Sequence, residues 1–540
     1  MAGMTPAHLE WPTQDLLAHR AAATPQRRAL VDIETDTAWT FAEFTRRVDR
    51  TAAALETAVD RVPDSRIGVL MDTRPAFATL FFAAMRRGAT LAPLNVRETA
   101  SELAAKADRL DLDALVCERE TASTASELVD ESTPILSVDD PTTDGVTALS
   151  TLHTDPGETT GEPTADGKQV EIQSAELDRG DTQLLMFTSG TSGDPKIVQL
   201  TVGNLVASAT ASAFRLGVDP DDRWLCCLPM YHMGGIAPVI RSALYGTTAV
   251  VQRTFDDRAT ARAMDEFGIT GVSLVPTMGK RLLDTGWEPP ESLRFVLLGG
   301  APASTEFIRR CREVGVPVYP TYGMTETASQ ITTATPSEAA THEGTVGQPL
   351  VVTDVSVVDE TGDPVPTGEP GELVVSGPTV TPGYLDAART ADAFCDRGLR
   401  TGDVGYRDDE GRLWILNRRS DRIVTGGENV DPGEVIETLR SHPKIEAAAV
   451  VGLEDEEWGE RVGALVAPAA AASGDAGSDP EPIELESVLA HCDGHLAGFK
   501  RPKTIGVVDE LPRTHSGTVD RDAARDRLLE VGVDVTEPSW

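Results

Sequence analysis

Residues 184–196 read LLMFTSGTSGDPK, and it is here that the chain declares its architecture. Four apolar residues make a buried-strand candidate. The chain then breaks into hydroxyls and glycines, Thr188, Ser189, Gly190, Thr191, Ser192 and Gly193, closed by Asp194, Pro195 and Lys196. Glycines let backbone N–H groups approach an oxyanion closely, hydroxyls donate further hydrogen bonds, and a lysine adds positive charge. The spacing is not that of the Walker A loop. In isolation the same run reads equally well as a flexible Ser/Gly turn between a strand and a helix, so its meaning depends on what surrounds it.

Upstream, RIGVLMD (66–72) and ATLAPLNV (89–96) alternate with the helical stretch FATLFFAAMRRG (77–88), which is strand and helix in α/β order. Downstream, CCLP (226–229), GTTAVV (246–251), GVSLV (271–275), RFVLLGG (294–300) and VPVY (316–319) are further short buried strands. After Gly347, TDVSVVDE, GELVVSG and GRLWILNR separated by turn signals predict a small antiparallel β unit. The expected fold class is therefore α/β. Layered α/β subdomains and the β unit fill residues 1–417, a hinge occupies 418–421, and a small mobile α+β domain follows over 422–540. Two stretches stand outside this pattern: 121–181, rich in Thr, Asp, Gly, Pro and Ser and predicted to be a mobile acidic insertion, and a linker at 469–482.

Composition narrows the classes of function. In 540 residues, 86 acidic groups stand against 48 basic ones, a net charge of -38 that repels nucleic acid and anionic lipid. Only 7 of the basic residues are Lys, and this balance suits a halophilic protein working where salt screens repulsion. Six cysteines without paired spacing argue against a disulfide framework. The N-terminal residues lack a signal-peptide pattern, and no uncharged apolar run reaches the ~18 residues of a membrane helix, so a cytoplasmic location without membrane insertion is expected. His491, Cys492 and His495 in HCDGH lack the second ligand cluster that zinc sites usually have.

The nine residues TSGTSGDPK resemble the phosphate-binding signature of the adenylate-forming superfamily, and further motifs follow in that family's order. Tyr322, Gly323, Met324, Thr325 and Glu326 form YGMTE. The resemblance implies that Tyr322 stacks on adenine, Thr325 touches the α-phosphate and Glu326 is the Mg²⁺ ligand. Gly299, Gly300 and Ala301 match the adenine-side loop. Asp403, in LRTGD, resembles the carboxylate that bonds both ribose hydroxyls, and Arg418 the arginine that contacts the nucleotide. His232, in LPMYHMGG, matches the position that lines the acyl pocket and its gate, and Ser329 and Gln330 are expected along the same pocket. The segment from Ser420 to Glu437 resembles the loop that enters the site for thioester formation, with Gly426 and Gly427 lining the CoA channel. Implied co-substrates are ATP, Mg²⁺ and CoA, with a small carboxylic acid as the remaining partner.

Two positions depart from the family. Its last signature, PRTxSGK, ends in a lysine that reaches the carboxylate and α-phosphate; here PRTHSG is followed by Thr518. Lys500, Lys503, Arg513 and Arg521 are the nearby basic residues that could substitute. Pro320 stands where many relatives carry a polar residue. Within the superfamily, PMYHMGGIAPVIRSALYGTTAVV and YGMTETASQITT look most like the o-succinylbenzoate–CoA ligases of menaquinone biosynthesis. A fatty or aryl acid–CoA ligase, and a nucleotide-binding pseudoenzyme motivated by Thr518, are the other readings.

Overall fold

The computed structural model describes residues 15–59, 62–152, 172, 174–188, 195–418, 423–425, 428–430, 432–455, 458–469, 483–496, 498–514 and 518–535. The backbone divides into two compact units, Met1–Val355 with Val375–Leu399, and Ser356–Val374 with Arg400–Trp540.

Two sheets organise the first unit. The strands Val146–Ala148, Ile135–Ser137, Ala114–Cys117, Arg66–Leu70, Thr90–Pro93, Thr182–Thr188 and Lys196–Thr201 form one, in that spatial order. Its pairings are parallel except the last, which is antiparallel. The second sheet runs Gln348–Pro349, Thr332–Thr333, Val318–Tyr322, Phe295–Leu298, Gly271–Leu274, Arg223–Cys226, Thr248–Val251, Arg28–Asp32 and Thr37–Thr40, with six parallel strands at its centre. Central parallel strands are covered on both faces, which is why they read as unbroken apolar runs rather than as alternation.

One core packs residues of both sheets, such as Val69, Leu184 and Met186 with Leu30, Ala249 and Val251, around the helix Pro75–Arg87. That helix has no polar face, and its Phe77, Phe81 and Phe82 are buried to within 1 %. Its one buried charge, Arg86, is held by Asp15 at 2.9 Å and Asp49 at 2.6 Å, as burial of a guanidinium requires.

The expectation for 121–181 needs correction. Its first half is built into the fold: the helix Ala122–Leu128 buries Ala122, Ala125 and Leu128, and Ile135–Ser137 and Val146–Ala148 extend the seven-stranded sheet in parallel. Three-residue strands are too short to show a period, and their order comes from pairing with the strand beside them. Residues 153–171 and 173, and the linker at 470–482, lie outside the described residues.

A five-stranded sheet holds Asp354–Val358, Gly371–Ser376, Gly398–Arg407 and Phe394–Cys395 in order, with Leu413–Arg418 antiparallel to Gly398–Arg407. The C-terminal sheet runs Glu428–Val430, Ile423–Thr425, Gly459–Pro468, Thr504–Val507 and Val533–Asp534, with Ile445–Asp455 beside Gly459–Pro468. The run IEAAAVVGL is apolar on both faces because both are covered. Ala448 and Val450 face the helices Pro432–Arg440 and Leu485–His495, while Ala449, Val451 and Leu453 face the helix Arg521–Val531. Residues 400–418 group with this second unit; of the hinge expected at 418–421, only Arg418 falls among the described residues. All six cysteines are free, and among the described residues no helix is long and apolar enough to cross a membrane.

Candidate active site

Open α/β sheets place their ligand sites beyond the carboxyl ends of the strands. Three parallel strands of the nine-stranded sheet, two of them adjacent and the third one strand further on, end in the motifs singled out above. Arg223–Cys226 leads to His232, Phe295–Leu298 to Gly299–Gly300–Ala301, and Val318–Tyr322 to Gly323–Met324–Thr325–Glu326.

Glycine is obligatory at two of these turns. A Cβ on Gly299 would lie 2.7 Å from Thr321 Cγ2, and one on Gly323 only 1.7 Å from the Ser329 carbonyl oxygen. Beyond Glu326 the backbone is strained, with Ala328 at φ 51° and Ser329 at φ 118°. Neither is a glycine, and such conformations persist where the surroundings over-determine them. Here Ser208 Oγ donates to the Ala328 carbonyl at 2.7 Å, and Ile331 N–H donates to the Tyr322 carbonyl at 2.8 Å, closing the loop on itself. Pro320 is buried, its carbonyl accepting from Ala334 N–H at 2.8 Å. It offers no N–H and no polar side chain of its own.

Glu326 is 4 % exposed. The Tyr384 hydroxyl donates to its Oε1 at 2.9 Å, and Thr381 N–H donates to its carbonyl oxygen at 2.7 Å. Burial, then the charge and hydrogen bond of Glu326, pushes the Tyr384 phenol far above its usual pKa, so it stays a proton donor. Thr325 and Thr327 flank the carboxylate in the same short turn. An acid carboxylate among hydroxyls is an all-oxygen donor set, the kind that a hard divalent cation such as Mg²⁺ takes.

The Ser/Gly loop joins two antiparallel strands, with Thr188 directly opposite Lys196. A strand-to-helix turn, the other setting considered for this run, is therefore not what the chain builds. Ser189, Gly190, Thr191, Ser192 and Gly193 lie outside the described residues. Lys196 is fixed by its strand, its Nζ 5.0 Å from the centre of the Tyr384 ring.

His232 caps the helix Met233–Tyr245 and meets the Tyr231 ring edge-on at 4.9 Å. Solvent reaches its ring. Even so, desolvation, followed by the charges of Lys106 and Arg97, lowers its pKa to about 4. The residue is thus exposed at its surface yet crowded by its neighbours, which disfavours the charged ring. Ser329 is half-buried. Gln330 is 1 % exposed; its Nε2 donates to Thr333 Oγ1 at 2.7 Å, and its Oε1 has no hydrogen-bond partner among the described residues.

The second unit carries the rest of the expected residues. Asp403 is 7 % exposed, its N–H donates to Thr401 Oγ1 at 3.0 Å, and it lies across the strand pair from Arg418. Asp403 follows Gly402, at φ 74°, within the strand Gly398–Arg407. The side chain of Arg418, and all of Gly426 and Gly427, lie outside the described residues. Thr518 closes a turn in which Thr514 N–H donates to the Thr518 carbonyl at 2.8 Å and the two hydroxyls meet at 2.7 Å. Lys500 is engaged by Glu434 at 2.6 Å, and Lys503 lies 3.7 Å from the centre of the Trp458 ring. Arg513 pairs with Val519, the next pair of the same antiparallel register as Thr514 with Thr518.

Sequence reading missed Tyr384 and Thr381. The only local signal was a run of turn residues, GPTVTPGY, ending in an aromatic. Gly383, at φ 149°, would place a Cβ 2.5 Å from Thr390 Cγ2, so a glycine is demanded immediately before Tyr384.

Comparison with known proteins adds the following. Residues 17–385 match the model of the AMP-binding enzyme family, and residues 434–518 that of the AMP-binding enzyme C-terminal domain. The chain is 35% identical over 507 residues, 94% of it and 96% of the relative, to the 2-succinylbenzoate–CoA ligase of Bacillus pumilus (strain SAFR-032). Its fold is similar to that of the o-succinylbenzoate CoA synthetase of Bacillus subtilis in complex with the acyl-adenylate intermediate, with a TM-score of 0.82 and 31% identity over 95% of this chain and 98% of that one. The same enzyme in complex with ATP and a magnesium ion gives a TM-score of 0.81 at 31% identity, covering 95% and 99%. A fatty acyl CoA synthetase of Mycobacterium tuberculosis is also similar, with a TM-score of 0.72 and 26% identity over 95% and 97%.

Proposed function

The chain belongs to the AMP-binding enzyme family and is an adenylate-forming acyl-CoA ligase, and from that premise we propose that its acid is o-succinylbenzoate and its place is menaquinone biosynthesis. The observation that carries this reading is likeness to 2-succinylbenzoate–CoA ligases along almost the whole chain, both domains included. In the first half-reaction a carboxylate oxygen attacks the α-phosphorus of ATP and pyrophosphate leaves. In the second, CoA thiolate attacks the acyl carbon and AMP leaves.

The roles follow from the family resemblance and the chemistry of each residue. The loop from Thr188 to Lys196 holds the phosphates, with the Lys196 ammonium beside the Tyr384 ring. By the family resemblance Gly299, Gly300, Ala301 and Tyr322 frame the adenine, Asp403 takes the ribose and Arg418 contacts the nucleotide. Glu326, with Thr325 beside it, is the residue that would hold Mg²⁺, which when bound offsets phosphate charge. His232, Ser329 and Gln330 line the acid pocket. Gly426 and Gly427 border the CoA channel, and rotation about 418–421 would exchange the Thr518 turn for that channel.

The test is mass-spectrometric detection of thioester after mixing the protein with ATP, Mg²⁺, CoA and o-succinylbenzoate or a panel of fatty and aryl acids. Thioester from o-succinylbenzoate is the expected result, and preference for another acid overturns the substrate assignment. The specific observation favouring a second reading is Thr518. With Lys500 and Lys503 engaged by Glu434 and Trp458, a nucleotide-binding pseudoenzyme is supported if ATP binds and no acid gives acyl-adenylate.

A further inference from the structure

We infer that Tyr384 is a positioning residue of the nucleotide site, setting the Glu326 carboxylate with its hydroxyl and the Lys196 ammonium with its ring. The inference rests on the ATP·Mg²⁺ reading of this site and not on the identity of the acid.

The side chain is 3 % exposed and its backbone is pinned from several sides. Tyr384 N–H donates to Thr390 Oγ1 at 2.9 Å, its carbonyl accepts from Gln199 Nε2 at 3.0 Å, and Leu385 N–H donates to the Ile197 carbonyl at 2.9 Å. Tyr384 also forms an isolated bridge with Val198. The segment 381–385 is thus stapled to the strand Lys196–Thr201, which leaves the phosphate loop, while Thr381 N–H holds the Glu326 carbonyl at 2.7 Å. One tether joins the loop that carries Lys196 to the turn that carries Glu326.

The chemistry explains why a phenol stands there. A direct Lys196–Glu326 ion pair would spend each charge on the other and weaken both toward a triphosphate and its cation. A tyrosine avoids that. Its hydroxyl fixes one carboxylate oxygen at 2.9 Å without neutralising the acid, and its face attracts the ammonium, 5.0 Å from the ring centre, without taking its N–H donors. Groups that orient a metal ligand from behind typically change metal affinity about 10- to 100-fold when removed.

The test measures Mn²⁺ binding by electron paramagnetic resonance, and ATP and AMP binding by calorimetry, on the full chain. Tyr384→Phe keeps the ring and removes the hydroxyl. It should weaken Mn²⁺ binding in the presence of ATP about 10-fold or more and leave metal-free AMP binding unchanged. Tyr384→Leu, which also removes the ring, should weaken ATP binding in addition. In a Glu326→Gln background, Tyr384→Phe should add no further loss of metal, because both changes act through one contact. Wild-type metal dependence in Tyr384→Phe, or an equal loss of AMP binding, overturns the inference. Should Tyr384→Phe fail to fold, 3-fluorotyrosine at position 384 gives a second readout. Its ¹⁹F resonance is expected to move on adding Mg²⁺ and ATP, and a stationary line overturns the inference. A wild-type protein that binds no nucleotide would instead refute the functional reading itself.

Discussion

Replacing Thr518 with lysine should raise the rate of acyl-adenylate formation and leave thioester formation unchanged. In the native turn this position ends in a hydroxyl, which meets the Thr514 hydroxyl at 2.7 Å and carries no charge. Lysine puts an ammonium at the end of a flexible four-carbon stem, the group that the family resemblance assigns to the carboxylate and α-phosphate. A donor placed on developing negative charge is worth roughly 100- to 1,000-fold in rate, about 2.7–4 kcal/mol. Against this stands loss of one half-buried hydroxyl pair, about 1 kcal/mol of stability. The backbone bond from Thr514 N–H to the carbonyl at 518 stays in place, so the turn should survive. ATP–pyrophosphate exchange with o-succinylbenzoate reads the first step alone, and thioester formation from supplied acyl-adenylate reads the second. The expected result is exchange faster by about 100-fold or more with the second step within twofold of the parent. Unchanged exchange would show that another group already supplies the charge. An equal gain in both steps would refute the idea that position 518 acts only in adenylation.

Four further outcomes follow from the same geometry. The His232 ring, with its pKa lowered to about 4, should show no NMR titration between pH 8 and 5.5, and titration near the ordinary 6.5 would refute its desolvation. Because the unfolded state then takes up the proton first, its contribution to stability is present above pH 6.5 and lost as pH falls toward 4. Gly323→Ala forces a Cβ to within 1.7 Å of the Ser329 carbonyl and should cost about 3 kcal/mol in urea unfolding, the upper end of overpacking; a change within experimental error would sink the steric argument. Arg241 is 2 % exposed with Nε and Nη2 unpartnered among the described residues, so Arg241→Met should hold or raise the melting temperature, and a marked drop would mean that the guanidinium is paired in solution. With a net charge of -38, the unfolding midpoint should rise between low and molar NaCl as the screening length shrinks from about 10 Å at 0.1 M to about 3 Å at 1 M; an unchanged midpoint would remove the case for salt adaptation.

Much of the molecule is legible in the chain itself, because the features concerned are local. The apolar runs around residues 69, 250 and 297 are strands buried on both faces, the glycines at 299 and 323 mark turns that admit no Cβ, and the motif order carries the family. What escaped depends on pairing across distance. Two three-residue strands between 135 and 148 have no period of their own and exist because a parallel neighbour completes their hydrogen bonds. The Ser/Gly loop reads the same before a helix or a strand, and only the register of Thr188 against Lys196 decides for a hairpin. Tyr384 reaches Glu326 across 58 residues. No spacing rule relates the two positions, since the fold alone, by stapling 381–385 to the strand after the phosphate loop, puts a hydroxyl where a carboxylate must be held.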